Sequence, residues 1–435
     1  MSRRAGKSGR QGENTVKKIP EIQEKTYDIE EYRRKRRRQK WRNRIIAAVS
    51  IAVLLTGAAV GIYFYENYDL QNLIENVTGT NEGENTGTLG ESFPVSLTGI
   101  NPLSISQSGN DLVLLTDEEE MLYRGGNAGH HFNHRYTNPV LKQAGGRILT
   151  YDRGGYGYRI DSGSGLHING RMKNIILTAT ISEKKSYAIV TKEARYAGSV
   201  TVFSRSNEEI LKWYSASEQI VDAAISPSER YLAVVCVGFE GGVLSSKIYI
   251  IDLKRQSEEP KAVLTFENAL PVAIDYKSNG QIHLVTDMGI GVVSKDFSSQ
   301  RMAVYNNGLY QYHFSGGRSY MLTTDANSVS CSILMTDGET EQSATLSGEV
   351  LDVSDNGKKL FVLGKSVITV LDRDLQPEGT LRVQNDVYGI EAIGNRVYLL
   401  SSNSLDVMSA DPKKDGESSE FVSGGEDSTL QSVIS

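Results

Sequence analysis

Cysteine is nearly absent from this chain: two in 435 residues, Cys236 and Cys331. Each sits in an apolar run, YLAVVCV and SVSCSILM, so both read as small core residues and a disulfide framework is excluded. Proline is scarce, with nine residues, and tryptophan scarcer, with two. Collagen-like and proline-rich linker architectures are therefore excluded. Chemical signatures are missing too. There is no GxSxG elbow, HExxH pair, P-loop or glycine-rich dinucleotide fingerprint, and the Ser-x-Asp-x-Gly boxes of sialidase-like propellers are absent. Long apolar runs are lacking everywhere but one place, Ile45 to Tyr65.

That exception holds no charged residue. As a helix its length is about 31 Å, enough to cross the hydrocarbon core. Tyr63, Phe64 and Tyr65 suit one interface and Trp41 the other. Nine Lys/Arg fall between Arg33 and Arg44, directly before it. The positive-inside rule then puts residues 1–44 in the cytoplasm and the remainder outside the cell membrane, as a single-pass protein. The same cations suit anionic lipid headgroups; nucleic acid is not an expected partner. The charge balance agrees with two compartments. Residues 1–44 carry sixteen basic and six acidic residues, and residues 66–435 carry thirty-one and forty-seven. Residues 66–92 read as a flexible linker, and residues 411–435, rich in Ser, Gly and Glu, as a disordered tail.

Between them, over residues 93–410, one small unit recurs eight times. A tight polar turn enters an apolar strand: SQSGNDLVLLT from Ser106, KQAGGRILTYD from Lys142, SEKKSYAIVT from Ser182, SPSERYLAVV from Ser226. The series continues with YKSNGQIHLVT from Tyr276, FSGGRSYMLTT from Phe314, SDNGKKLFVL from Ser354 and EAIGNRVYLLS from Glu391. A further strand follows each copy. The units start near residues 101, 138, 174, 219, 270, 309, 348 and 386, a spacing of about 41 residues, which matches four strands per blade of an all-β propeller. Strands apolar on both faces, such as Lys247-IYIIDL, fit sheets packed between two others. The last unit is short of a strand, and Phe93 to Leu97 is an orphan, so the orphan is expected to close blade eight. Seven blades, with one unit miscounted, is the alternative.

Two residue clusters stand out. His130, His131 and His134 place three imidazoles in five residues. They are metal-ligand types, but no carboxylate or thiol lies beside them in sequence, so no metal is expected and a solvated inter-blade loop is the plainer account. Tyr151, Arg153, Tyr156 and Tyr158 form the densest aromatic patch. Tyrosines around a turn suit a sugar or peptide, with Arg153 on an anion. Structurally, Arg-Gly-Gly is a hairpin turn, and Tyr156 and Tyr158 fall on one face of the next strand. Trp213-Tyr214 reads as an anchor on an outer strand. Asp352-Val-Ser-Asp355 begins like a calcium loop but lacks the distal glutamate, which leaves turn chemistry.

The run from Ser226 followed by Ile248-Tyr-Ile-Ile-Asp-Leu resembles the blade of WD-repeat and TolB-like propellers. Glu209-Ile-Leu-Lys-Trp-Tyr resembles the Trp-bearing strand of quinoprotein-dehydrogenase-like propellers; the Asp-x-x-Thr-Gly run that would precede it is replaced by Arg205-SNEEILKW, so no quinone cofactor is implied. The whole plan resembles an uncharacterised family of single-span propellers from clostridial Gram-positive bacteria, on the basic head, the span and Tyr151 to Gly155. That resemblance implies architecture and no activity; because a propeller presents loops from every blade around one face, the expected role is a membrane-anchored binding or scaffolding module for an envelope protein or a cell-wall glycan, without cofactor. The rival expectation is a glycan-cleaving enzyme using carboxylates gathered at the propeller axis.

Overall fold

The computed structural model describes residues 93–124, 127–255, 259–305, 308–324 and 330–412. The expected span, linker and disordered tail fall outside these residues, apart from the tail's first two. No helix among the described residues is long and apolar enough to cross a membrane.

The described chain forms eight four-stranded antiparallel sheets. Seven are simple meanders, each strand pairing with the next in sequence. Their first strands begin at Pro102, Pro139, Ile176, Gln219, Pro271, Gly308 and Asp352, and that of the eighth at Val387. First strands of successive sheets border one another from blade seven through eight and one to five, so they line the axis. The eighth sheet is completed from the other end of the domain: its strands run Val387–Ile393, Arg396–Ser401, Ser404–Ser409 and then Val95–Ser96. Val95 pairs with Leu405 and Ser96 with Ser404, and the Leu97 amide donates to the Asn403 carbonyl at 2.8 Å. Val95 and Leu97 pack in one cluster with Ile105, Leu112 and Leu114 of blade one and Leu400 and Leu405 of blade eight. The eight-bladed ring with its orphan closing strand is thus observed, and a seven-bladed count is excluded.

Why the strands are apolar on both faces is visible in the packing. Eight buried apolar clusters occupy the eight seams between neighbouring blades. The seams of blades three and four and of blades four and five are the richest, each with fourteen buried apolar residues; the former include Val200, Trp213, Leu232, Val234 and Ile251. Burial at about 25 cal/mol per Å² makes such seams the main attraction holding the ring. The seam of blades one and two is the poorest, with only Val113, Leu122 and Ile148 buried in its cluster. Polar groups fill the rest of it. Thr150 donates its hydroxyl to Glu120 at 2.5 Å, and Arg159 pairs with Asp161 at 2.5 Å. Glu120 is 1% exposed and Asp161 fully buried. Burial, with the charge of Asp161 adding to it, pushes the Glu120 carboxyl up to about 7.

Cys236 and Cys331 are free, buried and in separate sheets, as expected. Trp213 is buried on the outer strand of blade three and meets Tyr249 of blade four at 5.3 Å between ring centres.

Candidate functional site

The first strands share an irregularity. In six of them the register skips one residue near the start: Leu103, Leu177, Val221, Val272, Tyr310 and Tyr388. A bulge of this kind re-aims the extra side chain. Leu103, Tyr310 and Tyr388 are 43%, 50% and 38% exposed. The Tyr388 hydroxyl also donates to the Pro102 carbonyl at 3.0 Å, joining blades eight and one.

Two carboxylates on first strands clasp neighbouring blades, and one of them, Asp222, directly follows a skipped position. Asp222 of blade four accepts from the Thr178 hydroxyl of blade three at 3.4 Å and from the Ile274 amide of blade five at 3.2 Å. Asp352 of blade seven accepts from the Gln311 side-chain amide of blade six at 2.9 Å and from the Ile390 amide of blade eight at 2.9 Å. Each thereby ties three blades. Burial pushes Asp222 up; the Lys142 ammonium and the Ile274 amide oppose it. Burial pulls Lys142 down, but Asp222, with Asp275 among the lesser contributors, outweighs that, and its pKa sits above the usual value. Glu391, on the first strand of blade eight, is pushed up to about 8 by burial and by the charge of Asp352. Asp275 accepts from Lys277 at 2.9 Å, and that ammonium is also held by the Ser315 and Arg318 carbonyls. The carboxylates that the topology gathers on the first strands are therefore spent on backbone amides, hydroxyls and an internal lysine, which is structural use.

The residues singled out from sequence do not converge. His130 and His131 lie on the outer strand of blade one, Asn127–Asn133, not in a loop. The reason is pairing with Glu119–Arg124, in which His131 stands opposite Met121. His131 Nδ1 lies 3.4 Å from a Glu119 carboxylate oxygen. His134 is buried; its Nδ1 accepts from the Tyr136 amide at 3.0 Å, and Nε2 meets the Thr116 carbonyl at 3.2 Å. Burial pulls its pKa down. No group of three or more His, Cys, Asp or Glu placed to hold a metal occurs among the described residues.

Tyr151 is fully buried, its hydroxyl 3.4 Å from that of Thr178. Tyr158 is buried in the seam of blades two and three, 3.3 Å from the Tyr187 hydroxyl. Arg153 and Tyr156 are exposed on the turn, with Arg171 over the Tyr156 ring at 5.0 Å. Tyr156 and Tyr158 do not share a strand face, because the strand begins at Gly157. Asp352 likewise belongs to a strand, Asp352–Asp355, and only the latter's carboxylate caps the turn, at the Gly357 amide.

What sequence reading missed is a face. In every sheet the start of the first strand, the hairpin between second and third, and the end of the fourth lie at one end. Short links from each fourth strand to the next first strand make that end common to all blades. It carries Leu103, Tyr156, Tyr196, Tyr214, Phe239, Val243, Leu270, Met288, Val304, Tyr310 and Tyr388, all exposed. Tyr196 and Tyr214 pair at 4.7 Å between centres. Phe239 is 78% exposed on the longest hairpin, Tyr231–Glu240 with Val243–Asp252. At the opposite end of the strands, Leu166 and Val263 are the comparable cases. A monomeric soluble surface seldom gathers apolar side chains this way without a partner.

Among solved structures, the dihydro-haem d1 dehydrogenase NirN in complex with DHE has a TM-score of 0.51 and 12% identity, covering 71% of each chain. BamB from Moraxella catarrhalis has a TM-score of 0.48 and 12% identity over 70% of this chain and 92% of its own. Apo AztD from Citrobacter koseri has a TM-score of 0.49 and 14% identity over 68% and 89%. At these identities the likeness is one of fold. No curated protein matches the chain. A family model does, over residues 104–409, well over half of the sequence, and the chain belongs to that family, the family of unknown function DUF5711.

Proposed function

We propose that this chain is a membrane-tethered, extracytoplasmic propeller that binds an envelope protein through its aromatic-rich face and so acts as a scaffold. One observation carries the reading: among the described residues, eleven exposed large apolar side chains share one end of the strands, three of them around the axis. Tyr and Phe dominate, and such side chains anchor interfaces because each buries a large area at small entropic cost. Binding is favoured over glycan cleavage because the acceptor oxygens of Asp222 and Asp352 already serve as clasps. The tether in this reading is Ile45 to Tyr65, oriented by the cations of Arg33 to Arg44 and their attraction to anionic headgroups.

Photo-crosslinker placed at Tyr196, Phe239 or Tyr310 in native membranes tests the face. A single envelope protein captured at all three positions, and not from Leu166, is expected. Capture of cell-wall glycan instead, or equal capture from Leu166, overturns the reading. Protease added outside intact wall-stripped cells is expected to digest the propeller and spare residues 1–44; protection of the propeller overturns the orientation.

A further inference from the structure

At the opposite end of the strands, blades two and three border an open groove of about 460 Å³. It is lined by Arg147, His167, Asn169, Arg205 and Asn207 among others. They come from three places: the second strand of blade two, Arg147–Asp152; its fourth strand, Gly165–Arg171; and the link of blade three between Gly198–Phe203 and Glu209–Ser215. The link is fixed from both sides. Arg147 Nη1 donates to the Arg205 carbonyl at 3.1 Å, crossing the seam. Asn207, at a φ of 67°, accepts through Oδ1 from the hydroxyls of Tyr187 and Tyr158. That oxygen is saturated, and among the described residues no acceptor takes its Nδ2 hydrogens. The Arg205 guanidinium likewise has no ion-pair or hydrogen-bond partner among the described residues.

The lining holds two arginines and no acid. Burial pulls the His167 pKa down, and Arg147 and Lys185 pull it further, with no carboxylate opposing them. His167 Nε2 is held 2.7 Å from the Ser162 hydroxyl. Of the nearby acids, Glu183 accepts from the Gly145 amide at 3.0 Å and Glu208 from the Ser206 hydroxyl at 3.4 Å. The rest of the exported part is acidic, so this groove is a local exception. A guanidinium from each blade and an amide with unclaimed hydrogens meet a ligand from several directions. A tetrahedral oxyanion uses such a set fully, whereas a planar carboxylate is satisfied by one guanidinium. The volume lies within the roughly 300–1,000 Å³ of small-molecule sites, leaving room beyond a bare phosphate.

We propose that this groove binds a phosphoryl group, free or carried as an ester on a small polyol or sugar, between Arg147 and Arg205. The proposal does not depend on the partner of the aromatic face. The test is calorimetric titration of the full-length protein in detergent, at fixed ionic strength, with inorganic phosphate, glycerol 3-phosphate and acetate. Saturable millimolar or tighter binding of glycerol 3-phosphate is expected, with acetate at least about tenfold weaker. Inorganic phosphate binding as tightly as the ester assigns the site to free phosphate; tighter binding of the ester assigns it to a phosphorylated polyol. Arg205→Gln, on an exposed link, is expected to weaken binding about tenfold without lowering the melting temperature, and Arg147→Gln to do the same or more. Absence of saturable binding, equal binding by Arg205→Gln, or acetate binding as tightly as glycerol 3-phosphate overturns the assignment.

Discussion

Two seams of this ring are built on opposite principles. Between blades three and four, fourteen buried apolar residues interlock. Between blades one and two, three do, and the remaining space holds Glu120, Asp161, Arg159 and Thr150. The apolar cluster of the first seam is forgiving of small shifts, because dispersion and burial have no direction, and titration there is left to bridging acids such as Asp222. The second depends on the protonation of acids removed from water, because an isolated buried carboxylate is costly to ionise. A closed ring averages the two: no blade leaves unless both of its seams open, so a poor seam is tolerated beside strong neighbours.

The largest expected effect comes from removing the averaging. Val95→Asp places a charge in the closing cluster and is expected to cost about 3–5 kcal/mol, seen in denaturant unfolding as a lower midpoint, or as aggregation through the freed edge. Midpoints unchanged from the parent overturn the closure argument. Next come matched truncations. Ile251→Ala in the rich seam is expected to cost about 4 kcal/mol and Ile148→Ala in the poor one about 2, since fewer apolar neighbours lose contact around the second cavity. Equal losses in chemical denaturation contradict the contrast.

The third effect depends on pH. Glu120 titrates in the fold at about 7, above its ordinary 4.5. Its contribution is fully present below pH 4.5 and is lost as pH rises through 7, because the unfolded chain ionises first. The loss is about 3 kcal/mol. Glu120→Gln removes the ionisation, so its stability relative to the parent is expected to climb between pH 4.5 and 7 and then level off. A gap that does not widen over that interval refutes the assignment. The smallest effect is at the rim: Phe239→Ser is expected to change unfolding by no more than about 0.5 kcal/mol, while abolishing crosslinked capture from Tyr196.

The ring was readable because strands buried on both faces write continuous apolar runs between turns. First strands expected near residues 219, 270 and 309 begin at Gln219, Pro271 and Gly308. Blade seven, expected near residue 348, starts at Asp352, because its first strand shrinks to four residues. The site was far less legible. Asp222 and Asp352 act together with partners some forty to fifty residues away, and one polar residue in a strand does not announce that. Tyr151 and Tyr158 looked like a binding patch because aromatic density signals core and surface alike. The one-sided face needs the direction of every strand, which only the closed ring supplies.

The closing strand also sets an order of events during synthesis. Val95 leaves the ribosome early, and its partner Leu405 is among the last residues of the domain to be made. Until then the first strand of the ring has nowhere to pair, while blades one to seven gain all their own strands. Any nascent chain halted before Leu405 carries an open edge at each end, a form that proteases and chaperones can recognise. Pairing across the whole domain thus doubles as a check that every blade has been made.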